Sequence, residues 1–278
     1  VPLGAFLSGG LDSSFIIGLM NQLIDDPIKT FTAGFERGWH DESSSAELIA
    51  KEFGTEHRLL KTKAEKIDVW ERVVWHLDEP LADAATIPTY LLSELTRKHV
   101  TVILSGEGAD ELLAGYDKYK FMYYAEKFSP SFSSPLFNLM AGIFQNKIKM
   151  HRGLKLLGSK EGAKNAYLDF ISVFTASEKK KLYGRELDDI QTALDEPERL
   201  VNKYLNDDKK GKDFLDRLLA LDIETWLPND VLLKNDKMTM AHSLEARVPF
   251  LDHIFAEKVM TIPNNLKLKG LREKYILR

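Results

Sequence analysis

The sequence predicts an α/β protein in which a doubly wound parallel sheet, within residues 1–118, is followed by a helical part, residues 119–278. Two observations support this prediction. In the first part, short apolar runs alternate with segments whose apolar residues recur at helical spacing, which is typical of strand–helix–strand units. In the second part, the strand signals stop and helical patterns follow, including the apolar stripe of Leu215, Leu218, Leu219 and Trp226.

Four segments are predicted as strands, at residues 3–7, 29–35, 56–60 and 100–104. The last of these is rich in β-branched residues, as buried parallel strands are. A first helix is predicted over residues 13–23. The three helices that follow are predicted from apolar faces, namely Ala46, Ile49, Ala50 and Phe53; Ile67, Trp70, Val74 and Leu77; and Ile87, Leu91, Leu92 and Leu95.

Composition excludes several classes of protein. The 278 residues carry a formal net charge of −4, and this mild acidity argues against a general nucleic-acid or membrane-surface binder. The chain has no cysteine, which excludes disulfides, thiolate catalysis and cysteine–zinc sites. No apolar run approaches the roughly 18 residues that a membrane span needs. We therefore expect a cytoplasmic protein whose partners are neither nucleic acid nor membrane.

The first chemical motif, Ser8-Gly9-Gly10-Leu11-Asp12-Ser13-Ser14, joins the first strand to the first helix. Its glycines allow a close backbone approach, and its amides and hydroxyls can form an anion cradle. Asp12 would repel a phosphate unless a cation lay between them, which predicts Mg²⁺. No lysine follows the glycines, unlike in the phosphate loops of kinases. The motif therefore suits a pyrophosphate leaving group, and the alternative is a simple turn followed by a helix cap.

The second motif, Ser105-Gly106-Glu107-Gly108-Ala109-Asp110-Glu111, follows the fourth predicted strand. We expect it at the same edge of the sheet as the first motif. Asp110 could share a metal ion with Asp12, and Glu107 could orient or deprotonate an incoming amine. The alternative is a solvated acidic turn that starts a helix.

These motifs together resemble the asparagine synthetase family of the glutamine-hydrolysing type, within the N-type ATP pyrophosphatases. Residues 31–35 and 41–43, 77–90 and 229–253 resemble further segments of that family. The resemblance covers nearly the whole chain, although residues 120–215 carry little of it. It implies an adenine nucleotide alpha hydrolase-like fold.

The resemblance also implies site residues. ATP and pyrophosphate would be bound by Leu7, Ser8, Gly9, Gly10, Asp12, Ser13, Ser14, Ala33, Ser105, Gly106 and Lys274. Mg²⁺ would be held by Asp12 and Asp110, and the catalytic residues would be Glu107 and Tyr116. Thr86 and Asp230 would belong to the region that receives the substrate.

In the family reaction, the β-carboxylate of aspartate attacks the α-phosphorus of ATP, giving β-aspartyl-AMP and pyrophosphate. Ammonia then displaces AMP and yields asparagine, because AMP is a far better leaving group than hydroxide. Family members obtain the ammonia from a glutaminase domain and carry a basic segment near their C-terminus, and the 278 residues contain neither. We therefore expect this chain to be a fragment that is weakly active or inactive alone. A homodimer is left open.

Two alternatives remain. A relative that activates another carboxylate, such as a β-lactam synthetase or an amidotransferase, would differ in the loop at residues 83–88. A regulatory domain would bind the nucleotide without catalysis. Away from the motifs, Asp222 is expected to have a buried partner because it falls on the apolar stripe, and Arg247 and Asp252 are expected to pair with each other.

Overall fold

The computed structural model describes residues 1–35, 42–62, 69–128, 167–168, 171–183, 191–206 and 213–278. These residues belong to two units. The first contains Val1–Leu112, Thr225–Thr261 and Leu277–Arg278, and the second contains Leu113–Glu224 and Ile262–Ile276. Ile67, which was assigned to a predicted helix face, lies outside the described residues.

The strands are β1 (Leu3–Phe6), β2 (Lys29–Phe35), β3 (Glu56–Thr62), β4 (Val102–Leu104) and β5 (Glu245–Arg247). The α-helices of the described residues are α1 (Leu11–Leu23), α2 (Ser43–Glu52), α3 (Trp70–Leu77), α4 (Thr86–Arg97), α5 (Ala109–Leu113), α6 (Asp117–Phe128), α7 (Ala176–Leu182), α8 (Gln191–Leu205), α9 (Phe214–Glu224), α10 (Leu233–Met240), α11 (His253–Met260) and α12 (Asn264–Lys267). A π-helical stretch, Leu227–Leu232, directly precedes α10, and Pro249–Leu251 and Tyr275–Leu277 are short 3₁₀ turns.

The five strands form one sheet in the order β3-β2-β1-β4-β5, and every adjacent pair is parallel. This confirms the predicted α/β class. The sheet is built outward in both directions from β1, so the chain changes direction between β1 and β4. In open sheets of this kind, ligands bind beyond the carboxyl ends of the strands at that change of direction. The two predicted motifs follow β1 and β4.

Two details of the first unit differ from the prediction. β5 was not predicted, because its sequence Glu-Ala-Arg has no apolar run, and only pairing with β4 makes it a strand. The predicted apolar face of α3 is right at Leu77 and wrong at Trp70 and Val74. Val69, Val73 and Leu77 are buried there, whereas Trp70 and Val74 are about half exposed or more.

The second unit has a core of its own. Among its described residues, the fully buried apolar side chains of α6, α8 and α9 are those of Tyr119, Met122, Leu205, Leu215, Leu218 and Leu219. Asp222 lies on the buried stripe of α9, as predicted, and it has buried partners: Tyr119 and Tyr167 donate hydroxyl hydrogen bonds to it. Trp226, predicted to continue the stripe, is 37% exposed instead.

Candidate functional site

The loop between β1 and α1 is held by its own serines. The Ser8 and Ser13 hydroxyls lie 3.0 Å apart, and Ser8 N donates to Ser13 Oγ at 3.2 Å. Gly10 N donates to Ser8 Oγ at 3.2 Å, and Ser14 Oγ donates to Gly10 O at 2.7 Å. The hydroxyls therefore order the loop at the start of α1, with Asp12 in the first turn of that helix. Ordered hydroxyls and amides at a helix N-terminus are suited to binding a phosphate group.

Gly9 is required by its surroundings. Its φ is +78°, a conformation that side chains other than glycine disfavour. A Cβ added there would lie 2.6 Å from Ala46 N and 2.7 Å from Ser45 Cβ. The first turn of α2 therefore packs directly against the loop.

The second loop starts where β4 ends, and it meets the first. Ser105 N donates to Arg247 O at 2.9 Å, which extends the pairing of β4 with β5. A Cβ added to Gly106 would lie 3.1 Å from Asp12 Cβ and 3.2 Å from Ser13 N. The glycine thus lets the two loops approach each other closely. The structure confirms the expectation that both motifs lie at the same edge of the sheet.

Carboxylates gather around Glu107. Burial raises the pKa of Glu107, and the charges of Asp110, Asp83 and Asp12 raise it further, while Lys234 lowers it. Asp12, in the first turn of α1, and Asp110, in the first turn of α5, therefore both act on the charge of Glu107. Mg²⁺ is usually held by one or two carboxylates together with substrate phosphates, so this donor set fits that ion. Within the described residues, no cluster of three or more His, Cys, Asp or Glu side chains is arranged to hold a metal.

Two residues near Glu107 were not among the predicted site residues. Lys234 Nζ lies 2.6 Å from Asp83 Oδ2, and both side chains are largely buried. They are 151 positions apart in the chain, so no local pattern could have indicated the pair. The composition of the 83–88 loop was the only available signal, and it pointed to substrate choice without identifying a partner.

The remaining predicted residues lie as follows. Leu7 is buried at the end of β1, where its carbonyl accepts a hydrogen bond from Thr32 Oγ1. Ala33 lies on β2. Thr86 begins α4, and its hydroxyl donates to Asp83 O at 2.7 Å. Asp230 lies in the π-helical stretch, and its charge raises the pKa of Lys234.

Tyr116 and Lys274 belong to the second unit, and their assignment to the site stays a prediction. Lys118 Nζ lies 5.1 Å from the centre of the Tyr116 ring. Lys274 is largely buried and has a φ of +47°.

The predicted pair of Arg247 and Asp252 is not formed. Arg247 Nε donates to Glu245 Oε1 at 2.8 Å, and Asp252 instead caps α11 by accepting from Phe255 N at 3.1 Å. Short-range partners are available to both residues, so neither needs the other. No helix in the described part of the chain is long and apolar enough to span a bilayer.

Comparison with known proteins gives a consistent result. The family model described as asparagine synthase matches residues 1–278. An asparagine synthetase (glutamine-hydrolysing) 1 from Bacillus subtilis is 36% identical over 285 residues, covering 100% of this chain and 43% of the relative. A putative asparagine synthetase from Mycobacterium tuberculosis is 36% identical over 282 residues, covering 100% of this chain and 42% of the relative. More distantly, the amidase chyE of Penicillium rubens is 28% identical over 324 residues, covering 100% of this chain and 46% of the relative. The chain thus spans less than half the length of these relatives.

Proposed function

The chain belongs to the asparagine synthase family, and on this basis we propose that it binds Mg·ATP and adenylates the β-carboxylate of aspartate, releasing pyrophosphate. Ammonia then displaces AMP to give asparagine. We further propose that a glutaminase domain, as named for the glutamine-hydrolysing relatives, supplies the ammonia. One observation carries the proposal: the close approach of Gly106 to Asp12 and Ser13 joins a phosphate-binding loop to an acidic loop at the edge of a parallel sheet.

The first step depends on the loop of residues 8–14. The amides and hydroxyls around Ser8, Ser13 and Gly10 bind the β- and γ-phosphates, which become the leaving group. Asp12 and Asp110 would hold Mg²⁺, which would supply positive charge to neutralise the phosphates. These residues orient the α-phosphate toward the attacking carboxylate, and orientation of this kind lowers the activation barrier.

The second step depends on Glu107. Ammonia must lose a proton as it forms the amide, and a buried carboxylate with a raised pKa can accept that proton near neutral pH. Adenylation makes the reaction possible because AMP leaves readily as an anion. Glu107 therefore acts on the attacking nitrogen, and the first loop retains the phosphate side of the intermediate.

The variant Asp12→Ala tests the first step. We expect it to reduce aspartate-dependent exchange of pyrophosphate into ATP at least about 100-fold, since one removed electrostatic stabiliser typically costs this much. The matched control is Asp25→Ala, because Asp25 is an exposed acid just beyond the end of α1. Exchange at the normal rate in Asp12→Ala would show that the metal assignment is wrong.

A second candidate function is activation of a different carboxylate by the same adenylation chemistry. This second function is considered because the chain is also similar to a protein that is named as an amidase and not as an asparagine synthetase. A panel of acids supplied with Mg·ATP and ammonium distinguishes the two. Pyrophosphate released only with an acid other than aspartate would keep the chemistry and change the substrate. Tight ATP binding without pyrophosphate release for any acid would instead indicate the regulatory alternative.

A further inference from the structure

Leu251 packs directly against the α-carbon of Gly108, in the loop that follows β4. A Cβ added to Gly108 would lie 2.4 Å from both Cγ and Cδ2 of Leu251 and 2.9 Å from its Cδ1. The leucine side chain therefore occupies the space into which any side chain at position 108 would point. The φ of Gly108 is +88°, a conformation that glycine adopts far more readily than other residues. Both the contact and the backbone conformation thus require glycine at this position.

A short, anchored turn presents Leu251 to the loop. Leu251 ends the 3₁₀ turn Pro249–Leu251, which follows β5, and its backbone N donates to Val248 O at 2.9 Å. The neighbouring Phe250 is 3% exposed and packs in the core of the first unit. Because Phe250 anchors the turn in the core, the turn holds the Leu251 side chain in place over Gly108.

Glu107 lies between two closely packed glycines. On one side, Gly106 approaches the Cβ of Asp12, and on the other side, Gly108 lies under Leu251. No hydrogen bond or ion pair to another described residue holds the Glu107 carboxylate. The position of this carboxylate therefore depends on the backbone of the loop, and that backbone depends on the contacts of the two glycines.

The helix that follows the loop, α5, is held by packing of its own. Its first residue, Ala109, is fully buried in the core of the first unit, and Leu112 is 2% exposed. These contacts keep Asp110 in place independently of the turn after β5. Loss of the leucine side chain would therefore free mainly the peptide that joins Glu107 to Gly108.

We propose that Leu251 is a positioning residue for Glu107 in the amide-forming step. By covering Gly108, it holds the backbone that presents the Glu107 carboxylate to the attacking nitrogen. This inference rests on the proposed function, in which Glu107 accepts a proton from ammonia. Leu251 transfers no proton and acts only through packing. Such an effect can be large, because a misplacement of about 1 Å caused far from the reacting atoms can lower a rate about 100-fold.

The experiment separates the two half-reactions in the complete natural protein. Adenylation is measured as aspartate-dependent exchange of pyrophosphate into ATP, and amide formation as asparagine produced from ammonium. We expect Leu251→Ala to lower kcat for asparagine at least about tenfold, because the freed peptide misplaces Glu107. Exchange and the KM for ATP should change less than about threefold, since the first loop and Asp110 keep their own contacts. Leu251→Met should retain most of the activity because it conserves the volume over Gly108.

Val259→Ala is the matched control. Val259 is 5% exposed and lies on α11, which follows the turn. Its truncation also removes buried methyl groups, so it tests whether a loss of stability alone produces the effect. Asparagine formation in this variant should stay within about twofold of the wild type. Equal losses in Leu251→Ala and Val259→Ala, or equal losses of adenylation and amide formation in Leu251→Ala, would overturn the proposal.

A double-mutant cycle tests the contact itself. Gly108→Ala introduces a Cβ that overlaps Leu251, so we expect it to lower kcat for asparagine at least about 100-fold. Adding Leu251→Ala removes the overlapping atoms and should restore at least about fivefold of that loss, because the two residues are in contact. Recovery stays incomplete since the backbone conformation of Gly108 is unfavourable for alanine. Losses that simply add in the double variant would overturn the proposal.

A crystallographic measurement keeps this inference separable from the proposed function. If the wild type shows no aspartate-dependent exchange, the proposed function is wrong, and the positions of Glu107 in crystals of Leu251→Ala and Val259→Ala decide whether Leu251 positions this residue. A Glu107 backbone that is displaced in the first variant alone would support the positioning role. A backbone in its wild-type position in both variants, or displaced in both, would overturn it.

Discussion

A Cβ added to Gly9 would lie 2.7 Å from the Cβ of Ser45, which is closer than two such atoms can approach. Ser45 belongs to the first turn of α2, and Gly9 belongs to the loop that we propose as the pyrophosphate site. The contact ties the shape of that loop to the position of α2, from which it is separated in the chain by α1 and β2. The loop therefore depends on more than its own sequence.

We expect Gly9→Ala to weaken ATP binding at least about tenfold and to lower stability by about 2–4 kcal/mol. The φ of +78° is unfavourable for alanine, and the new Cβ overlaps the backbone of α2. Calorimetric titration with ATP and urea unfolding measure the two effects. Gly54→Ala is the control, because Gly54 has a φ of +61° with nothing within 4 Å of an added Cβ. It should cost about 1 kcal/mol and leave ATP binding unchanged; equal effects of the two variants would contradict the packing argument.

Among the described residues of the second unit, Asp222 is expected to be a polar position that is sensitive to substitution. It accepts hydrogen bonds from Tyr119 and Tyr167, each at 2.5 Å, and Lys118 Nζ lies 2.7 Å from its Oδ2. Asp222→Ala removes a buried carboxylate that accepts from both tyrosine hydroxyls and pairs with the Lys118 ammonium, so we expect a loss of about 3–5 kcal/mol in urea unfolding. Glu196→Ala removes an exposed ion pair and should cost less than about 0.5 kcal/mol. A loss below about 1 kcal/mol for Asp222→Ala would show that water replaces the carboxylate.

The features that could be predicted from the sequence are those that depend on neighbouring residues in the chain. β1 and β4 were predictable because they are short apolar runs, as buried parallel strands are. The Ser8–Ser14 motif was recognisable because its glycines, hydroxyls and carboxylate are adjacent in the sequence. β5 has two charged residues out of three, and it becomes a strand only through β4. On α3, two neighbouring apolar faces fit the same helical period, so periodicity alone could not identify the buried one. The Asp83–Lys234 pair could not be predicted, because its two residues are 151 positions apart in the sequence and meet only in the folded chain.

The burial of Lys267 makes the free energy of unfolding depend on pH. It is fully buried, and within the described residues its Nζ has no hydrogen-bond partner. Burial lowers its pKa, although Asp216 opposes this. The unfolded chain therefore binds the proton more tightly than the folded chain does, and the resulting destabilisation is complete below the folded pKa and vanishes above the unfolded value of about 10.4.

We accordingly expect Lys267→Met to raise the free energy of unfolding at neutral pH by about 1–3 kcal/mol, since a buried charge is replaced by an apolar side chain of similar length. The gain over the wild type should shrink as the pH rises through the lowered pKa of Lys267. Urea unfolding at a series of pH values measures it. Lys258→Met, at an exposed position of α11, should give no such trend. A gain that is constant with pH would mean that packing, not charge, causes it.

The raised pKa of Glu107 predicts how the rate of amide formation falls at acidic pH. Burial raises its pKa, and a base acts only when deprotonated, so amide formation should decline as the pH falls through a value above the ordinary 4.3 or so of a glutamate. Glu107→Gln should lower kcat for asparagine about 10²–10⁴-fold and abolish that limb. Because Lys234 lowers the pKa of Glu107, Lys234→Met should move the limb to higher pH. Its position is read from kcat measured between about pH 5 and 9. The same limb in Glu107→Gln would assign it to another group, and a shift to lower pH in Lys234→Met would contradict the charge relationship between the two residues.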